Sequence, residues 1–124
     1  MPKALVVDDS RAVRMILGRT LKELGFTVHE AGNGKEALAL MKTEREGMSL
    51  VLADWNMPEM NGLELLRLLR ADPTLASLVV VMVTTETEIG QMTAALEAGA
   101  NEYVMKPFTR EILVGKLQMA GVHP

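Results

Sequence analysis

Asp54 closes an apolar run, Leu50-Val51-Leu52-Ala53, and Trp55-Asn56-Met57-Pro58-Glu59-Met60-Asn61-Gly62 follows it as a stretch rich in turn formers. A run of that length and character predicts a strand buried on both faces. Its terminal carboxylate then opens into the mouth of a sheet, where open α/β sheets bind their ligands. Three other apolar runs end in chemistry of their own: Asp8-Asp9-Ser10 after residues 4–7, Thr84-Thr85 after a Val-rich run from Leu78, and Lys106-Pro107 after a short run around Val104. Carboxylates from Asp8, Asp9 and Asp54 meeting in one cleft would repel and raise each other's pKa. A hard divalent cation removes that repulsion; Mg²⁺ accepts carboxylates, waters and phosphate oxygens, and Asn56 is placed to offer a main-chain carbonyl. A carboxylate nucleophile at Asp54, a metal, the Thr84 hydroxyl and the Lys106 ammonium are the parts needed for phosphoryl transfer onto an aspartate. Taken singly, each residue has a plainer reading. Asp8 or Asp9 is a helix N-cap, Thr84 a strand end, Lys106 a solvated lysine and Pro107 a helix-start proline. The weight lies in their joint placement at successive strand ends.

The elements that must position these residues alternate along the chain. Val13, Ile16, Leu17, Leu21 and Leu24 recur at helical spacing after Asp8-Asp9-Ser10, which can cap that helix, and Gly25 stops it. Residues 26–31 read as a weaker strand, Gly32-Asn33-Gly34 as a turn, and residues 35–43 as a short helix with Ala37, Leu38 and Met41 inward. Strand 50–54 precedes a helix over 63–70. Strand 78–84 precedes a helix over 86–98 ended by Gly99, which Gly90 and Thr93 weaken. A strand over 102–105 leads to a last helix capped by Thr109. Five strands alternating with five helices predict a parallel sheet covered on both faces, with right-handed crossovers.

The bulk numbers bound the class. A length of 124 residues fits one domain spanning the chain, and a hydrophobic content of 48% supplies a core, built from Leu, Val, Ala, Ile and Met because aromatics are only 3%. A net charge of -3 argues against nucleic-acid binding. Cysteine is absent, which excludes disulfides, a thiolate nucleophile and Cys-ligated zinc. No signal-peptide pattern opens the sequence, and no apolar run approaches the roughly 20 residues of a membrane span. The expectation is a soluble, cytoplasmic, monomeric protein without nucleic-acid or membrane contacts.

Val6-Val7-Asp8-Asp9-Ser10, Asp54-Trp55-Asn56-Met57-Pro58 with Gly62, Thr84, and Lys106-Pro107-Phe108 together resemble the receiver domains of two-component response regulators over essentially the whole length. Trp55-Asn56, Glu86 two residues past Thr84, and Tyr103 are most similar to the chemotaxis members. The resemblance implies a flavodoxin-like sheet in the order 2-1-3-4-5; that order comes with the family and not from periodicity. It implies that Asp54 accepts a phosphoryl group from a phosphohistidine on a sensor kinase. Asp9, Asp54 and the Asn56 carbonyl would hold Mg²⁺, and Asp8 would act through a bound water. Lys106, before a cis Pro107 bond, would pair with the phosphoryl oxygens, and Thr84 would hydrogen-bond to them. A switch is implied as well: Thr84 moves toward the phosphoryl group, Tyr103 turns inward, and a face carrying Met92, Tyr103 and Lys116 changes shape to bind a partner, a flagellar motor switch protein in the chemotaxis members. Asn56 and Glu86 would line the path of an attacking water and tune dephosphorylation, which a separate phosphatase can assist. The protein would not be an enzyme beyond its own phosphorylation and dephosphorylation.

Four rival readings differ in one feature each. A receiver cut from a longer DNA-binding regulator, or a phosphorelay intermediate or phosphate sink, shares the site but not the output. A phosphatase of the haloacid dehalogenase type needs a second Asp two residues after the nucleophile, where Asn56 stands. A flavodoxin-like FMN carrier needs a Ser/Thr/Gly-rich loop where Asp8-Asp9-Ser10-Arg11 would repel phosphate. Arg11, Arg14 and Met15 fall off the apolar stripe of the first helix and are expected to offer either a kinase docking surface or an ordinary solvated face. Thr85 is expected to narrow access to Asp54.

Overall fold

The structure is a computed structural model that describes residues 2–85 and 90–122. Five parallel strands, β1 (Lys3–Val7), β2 (Thr27–Ala31), β3 (Met48–Asp54), β4 (Val79–Thr85) and β5 (Glu102–Lys106), form one sheet in the order β2-β1-β3-β4-β5. The helices are α1 (Arg11–Glu23), α2 (Gly34–Glu44), α3 (Gly62–Ala71), α4 (Met92–Glu97) and α5 (Arg110–Met119), with a 3₁₀ turn at Pro73–Leu75.

The pleat sorts side chains into two cores, one on each face of the sheet. Ala4, Val6, Leu50, Leu52, Val81, Val83 and Val104 point to one face and pack against Leu17 and Leu21 of α1 and Leu113 and Leu117 of α5. Leu5, Val7, Val51, Ala53, Val80 and Met82 alternate with them and pack against α2, α3 and α4 through Ala37, Met41, Leu65, Leu66, Leu69, Met92 and Ala95. Strands β3 and β4 are buried on both faces, which is why their sequences read as unbroken apolar runs.

Local capping sets where the helices begin. Ser10 caps α1 by accepting from Val13 N–H, and Thr109 caps α5 by accepting from Ile112 N–H. Asn33 does the same for α2, and Asn61 forms a reciprocal capping box with Glu64 at α3. Gly25 follows α1 with φ +98°, a conformation that costs an L side chain strain.

Two expectations are corrected here. Ile16 is 57% exposed and does not belong to the inward stripe of α1, because the helix turns Leu17 and Leu21 squarely onto the sheet and leaves Ile16 at the edge. The fourth helix is shorter than residues 86–98. It starts at Met92 after a 3₁₀ turn at Gly90 and Gln91, and Gln91 makes no side-chain capping bond. Residues 86–89, Glu86 among them, lie outside the described residues.

Candidate functional site

The site forms at the C-terminal edge of β1, β3, β4 and β5. Two-residue alternation puts Asp54 on the same face as Leu52, Asp8 on the same face as Val6, and Lys106 on the same face as Val104. The register pairs Thr85 with Lys106 on β5, so the lysine starts level with the end of β4 and its stem reaches over that strand. Lys106 Nζ donates to Asp8 Oδ2 at 3.0 Å and to Asp54 Oδ1 at 3.3 Å. Asp8 and Asp54 are buried, at 1% and 6% exposure, while Asp9 is exposed. The Lys106–Pro107 bond is cis.

Burial pushes the Asp54 carboxyl up to about 6, and the charges of Asp8 and Asp9 add to the rise while Lys106 opposes it. Burial pulls the Lys106 ammonium down, but its hydrogen bonds and charge pairing with Asp8 and Asp54 more than offset this and leave its pKa raised. Lys106 therefore stays charged, and Asp54 is the group whose ionisation is costly. Asp8, Asp9 and Asp54 each present a carboxylate oxygen, all within 4.8 Å of one another. One ammonium faces these three carboxylates, and the all-oxygen donor set fits a hard cation such as Mg²⁺.

The β3–α3 loop is packed tightly against this edge. Gly62 N–H donates to the Trp55 carbonyl at 2.9 Å. A Cβ on Gly62 would lie 2.5 Å from the Asp54 carbonyl oxygen and 2.6 Å from Met82 Cε. Glycine is required there by close approach, not by dihedral freedom. Asn56 is exposed in that loop, next to buried Trp55 and Met57.

Thr84 is fully buried one residue past the β4 position level with Asp54, and its hydroxyl donates to the Thr85 carbonyl at 3.3 Å. Thr85 lines a mainly apolar groove of about 480 Å³ with Val13, Ile16, Lys106, Pro107 and Phe108, opening on the α1 side of the site. Tyr103 is half-buried, and Lys116 Nζ sits 4.5 Å from its ring centroid while pairing with Glu102 at 3.5 Å. Tyr103 and Lys116 share a second groove with Met105 and Ile112.

Met92 departs from its expected place on that face. At 4% exposure it packs in the core with Ala95 one turn further along α4, so it presents no surface to a partner. Arg14 is not an ordinary solvated arginine. It donates from Nη1 to the Asp8 carbonyl oxygen at 2.6 Å and from Nε to Glu30 at 3.0 Å. Arg11 and Met15 are exposed. Glu102 and Arg14 are the residues near these features that sequence reasoning missed or misplaced. Both act through contacts between elements far apart in sequence, which periodicity does not report.

A family model described as the response regulator receiver domain matches residues 4–118. The chain belongs to the receiver domain family. Among curated relatives of this receiver domain, the chemotaxis protein CheY homolog of Campylobacter jejuni is 46% identical over 117 residues, 94% of this chain and 89% of the relative. Chemotaxis protein CheY1 of Helicobacter pylori is 42% identical over 118 residues, 94% of each chain. Among solved structures, chemotaxis response regulator CheY4 of Vibrio cholerae superposes with a TM-score of 0.88 at 34% identity, covering 97% of this chain and 98% of the other. A probable two-component response regulator/GGDEF domain protein also matches, at TM-score 0.88 and 32% identity, with 97% of this chain covering 49% of that one. The receiver domain is thus CheY-like, a part of two-component signalling, with its acidic pocket where receiver domains bind Mg²⁺. No helix among the described residues is long and apolar enough to cross a membrane.

Proposed function

We propose that this receiver domain is a phospho-acceptor switch that takes its phosphoryl group on Asp54 from a histidine kinase. The observation that carries the reading is the pairing of Lys106 Nζ with Asp54 Oδ1 at 3.3 Å inside a cluster of three carboxylates. A carboxylate oxygen of Asp54 attacks phosphorus, the P–N bond of the donor phosphohistidine breaks, and the imidazole leaves with its electron pair and takes up a proton. Asp9, Asp54 and the Asn56 carbonyl would hold Mg²⁺, with Asp8 acting through a bound water, and the ion would supply charge neutralisation to the equatorial phosphoryl oxygens. Lys106 then exchanges its Asp54 contact for a phosphoryl oxygen while Asp8 keeps its ammonium in place. Thr84, buried at the same strand edge, supplies a hydroxyl to the phosphoryl group.

The apolar groove between Val13, Ile16 and Phe108 beside Lys106 supports docking of the kinase's phosphodonor domain there. The groove of Tyr103, Met105, Ile112 and Lys116 supports an output face on α4, β5 and α5, biased by the charge change at Asp54. The chemotaxis names of the relatives favour a flagellar motor switch protein as its partner, with an accessory phosphatase. Asn56 and Glu86 would tune the lifetime of the phosphorylated state. The protein acts in the cytoplasm as a monomer, without turnover of an external substrate. A second reading rests on the GGDEF-linked relative, whose receiver domain is about half of its chain: there the same face would serve an attached output domain.

Acetyl phosphate or phosphoramidate, with and without Mg²⁺, applied to wild type and Asp54→Ala, tests the reading by intact mass. One added phosphoryl group that requires both Mg²⁺ and Asp54 is the expected result. Labelling that survives in Asp54→Ala, or none from these donors or from a histidine kinase, overturns it.

A further inference from the structure

Asp8 is fixed at four points. Its N–H donates to the Ala31 carbonyl at 3.1 Å, its Oδ1 accepts from Ser10 N–H at 2.8 Å, its Oδ2 accepts from Lys106 at 3.0 Å, and its carbonyl accepts from Arg14 Nη1 at 2.6 Å. The last of these bonds fixes the plane of the peptide joining Asp8 to Asp9. Asp9 differs: it is exposed, and its side chain makes no hydrogen bond among the described residues. Its placement therefore depends on the two peptides that flank it: Ser10 N–H ties the following one to Asp8 Oδ1, and the Arg14 guanidinium holds the preceding one from outside the loop. Glu30 on β2 accepts from Arg14 Nε at 3.0 Å and keeps the guanidinium in line. The pair is 18% and 41% exposed, so the arginine is the better shielded member.

We propose that Arg14 is a positioning residue for the divalent-cation site: clamped by Glu30, it holds the Asp8–Asp9 peptide so that Asp9 faces Asp54. The inference rests on the metal-site reading above. The guanidinium also carries a positive charge, which disfavours a second cation close by, so charge and position act in opposite directions. Losing the charge alone would tighten Mg²⁺ binding, whereas losing the clamp would loosen it. Groups that orient metal ligands from outside the coordination shell typically govern affinity by 10–100-fold.

Arg14→Lys separates the two, because it keeps the charge and loses the planar two-sided hydrogen bonding. Mg²⁺ is titrated against the fluorescence of Trp55, the chain's single tryptophan and the neighbour of Asp54, and thermal unfolding is followed in parallel. The expected result is a dissociation constant raised roughly 10-fold in Arg14→Lys, with unfolding little changed. Glu30→Gln, which leaves the arginine but weakens its anchor, is expected to shift it in the same direction by less. The Asp9 amide resonance of metal-free Arg14→Lys should move as well. An unchanged Mg²⁺ affinity in Arg14→Lys overturns the clamp, and so does a static Asp9 amide. An Asp9→Asn variant that binds Mg²⁺ as well as wild type overturns the metal-site reading itself, and the clamp falls with it.

Discussion

Asp54, the carboxylate proposed to take the phosphoryl group, sits where the fold resists its ionisation. Its folded pKa of about 6 lies above the ordinary 3.8, so the folded state is favoured when the carboxyl is protonated. The cost is absent below about pH 4, grows through pH 6 and is complete above it. Asp54→Asn removes that cost, while Lys106 keeps Asp8 at 3.0 Å. Urea unfolding at pH 8 should show the variant more stable than wild type by on the order of 2 kcal/mol, and the gain should vanish toward pH 4. A variant no more stable at pH 8 would contradict this account of the site. At this scale the sequence was informative where a residue's role is local. Asp8, Asp54, Thr84 and Lys106 were legible because each ends an apolar run. That Lys106 rests on two carboxylates, and that Arg14 faces inward onto Asp8, depends on which strands are neighbours, and no spacing reports that.

The β3–α3 loop and the α4 segment show how elements carry the site. Gly62 lets the start of α3 lie directly on the Asp54 carbonyl. Gly62→Ala must push that backbone outward, since its closest contact would be the Asp54 main-chain carbonyl, which cannot swing aside as the Met82 side chain can. It should lower stability by about 1–3 kcal/mol and slow phosphorylation by acetyl phosphate, whereas Gly115→Ala, which meets nothing within 4 Å, should leave the phosphorylation rate unchanged. At the other end of α3, Arg70 donates to the carbonyls of Gly99 and Leu75 and to Asn101 Oδ1, which also accepts from Val80 N–H. One guanidinium thus joins α3 to the turn that follows α4 and to the start of β4. Arg70→Met should lower stability by about 1–3 kcal/mol in urea unfolding through these lost partners. The caps at Ser10 and Thr109 were readable because a cap is a local hydrogen bond, whereas Asn33 read only as part of a turn and its capping bond came with the structure. The start of α4 was not readable, because Gln91 supplies no capping bond and Gly90 interrupts the pattern. Met92 was carried onto the partner face by the resemblance alone, and in this fold it opens a helix of six residues with its side chain in the core.

For the molecule as a whole, alternation of strands and helices was enough to predict a parallel sheet covered on both sides, but the strand order came only with the family. The order matters because it puts β1 beside β3 and brings Asp8 to Asp54 across 46 residues of chain. All of this chemistry sits at one edge of the sheet. The opposite edge holds something different: Pro2 and Val122 line a single cavity with Phe26, Ser49, Ser77, Val79 and Gly121. Residues 2 and 122 therefore lie close together, and the described backbone between them nearly closes into a ring. A gene that joins these ends by a short Gly/Ser linker and reopens the ring between Ala76 and Ser77, both exposed, should fold to the same sheet. It should bind Mg²⁺ with the affinity of the original order, as read by Trp55 fluorescence. The site would then be a property of the ring, indifferent to where translation starts reading it.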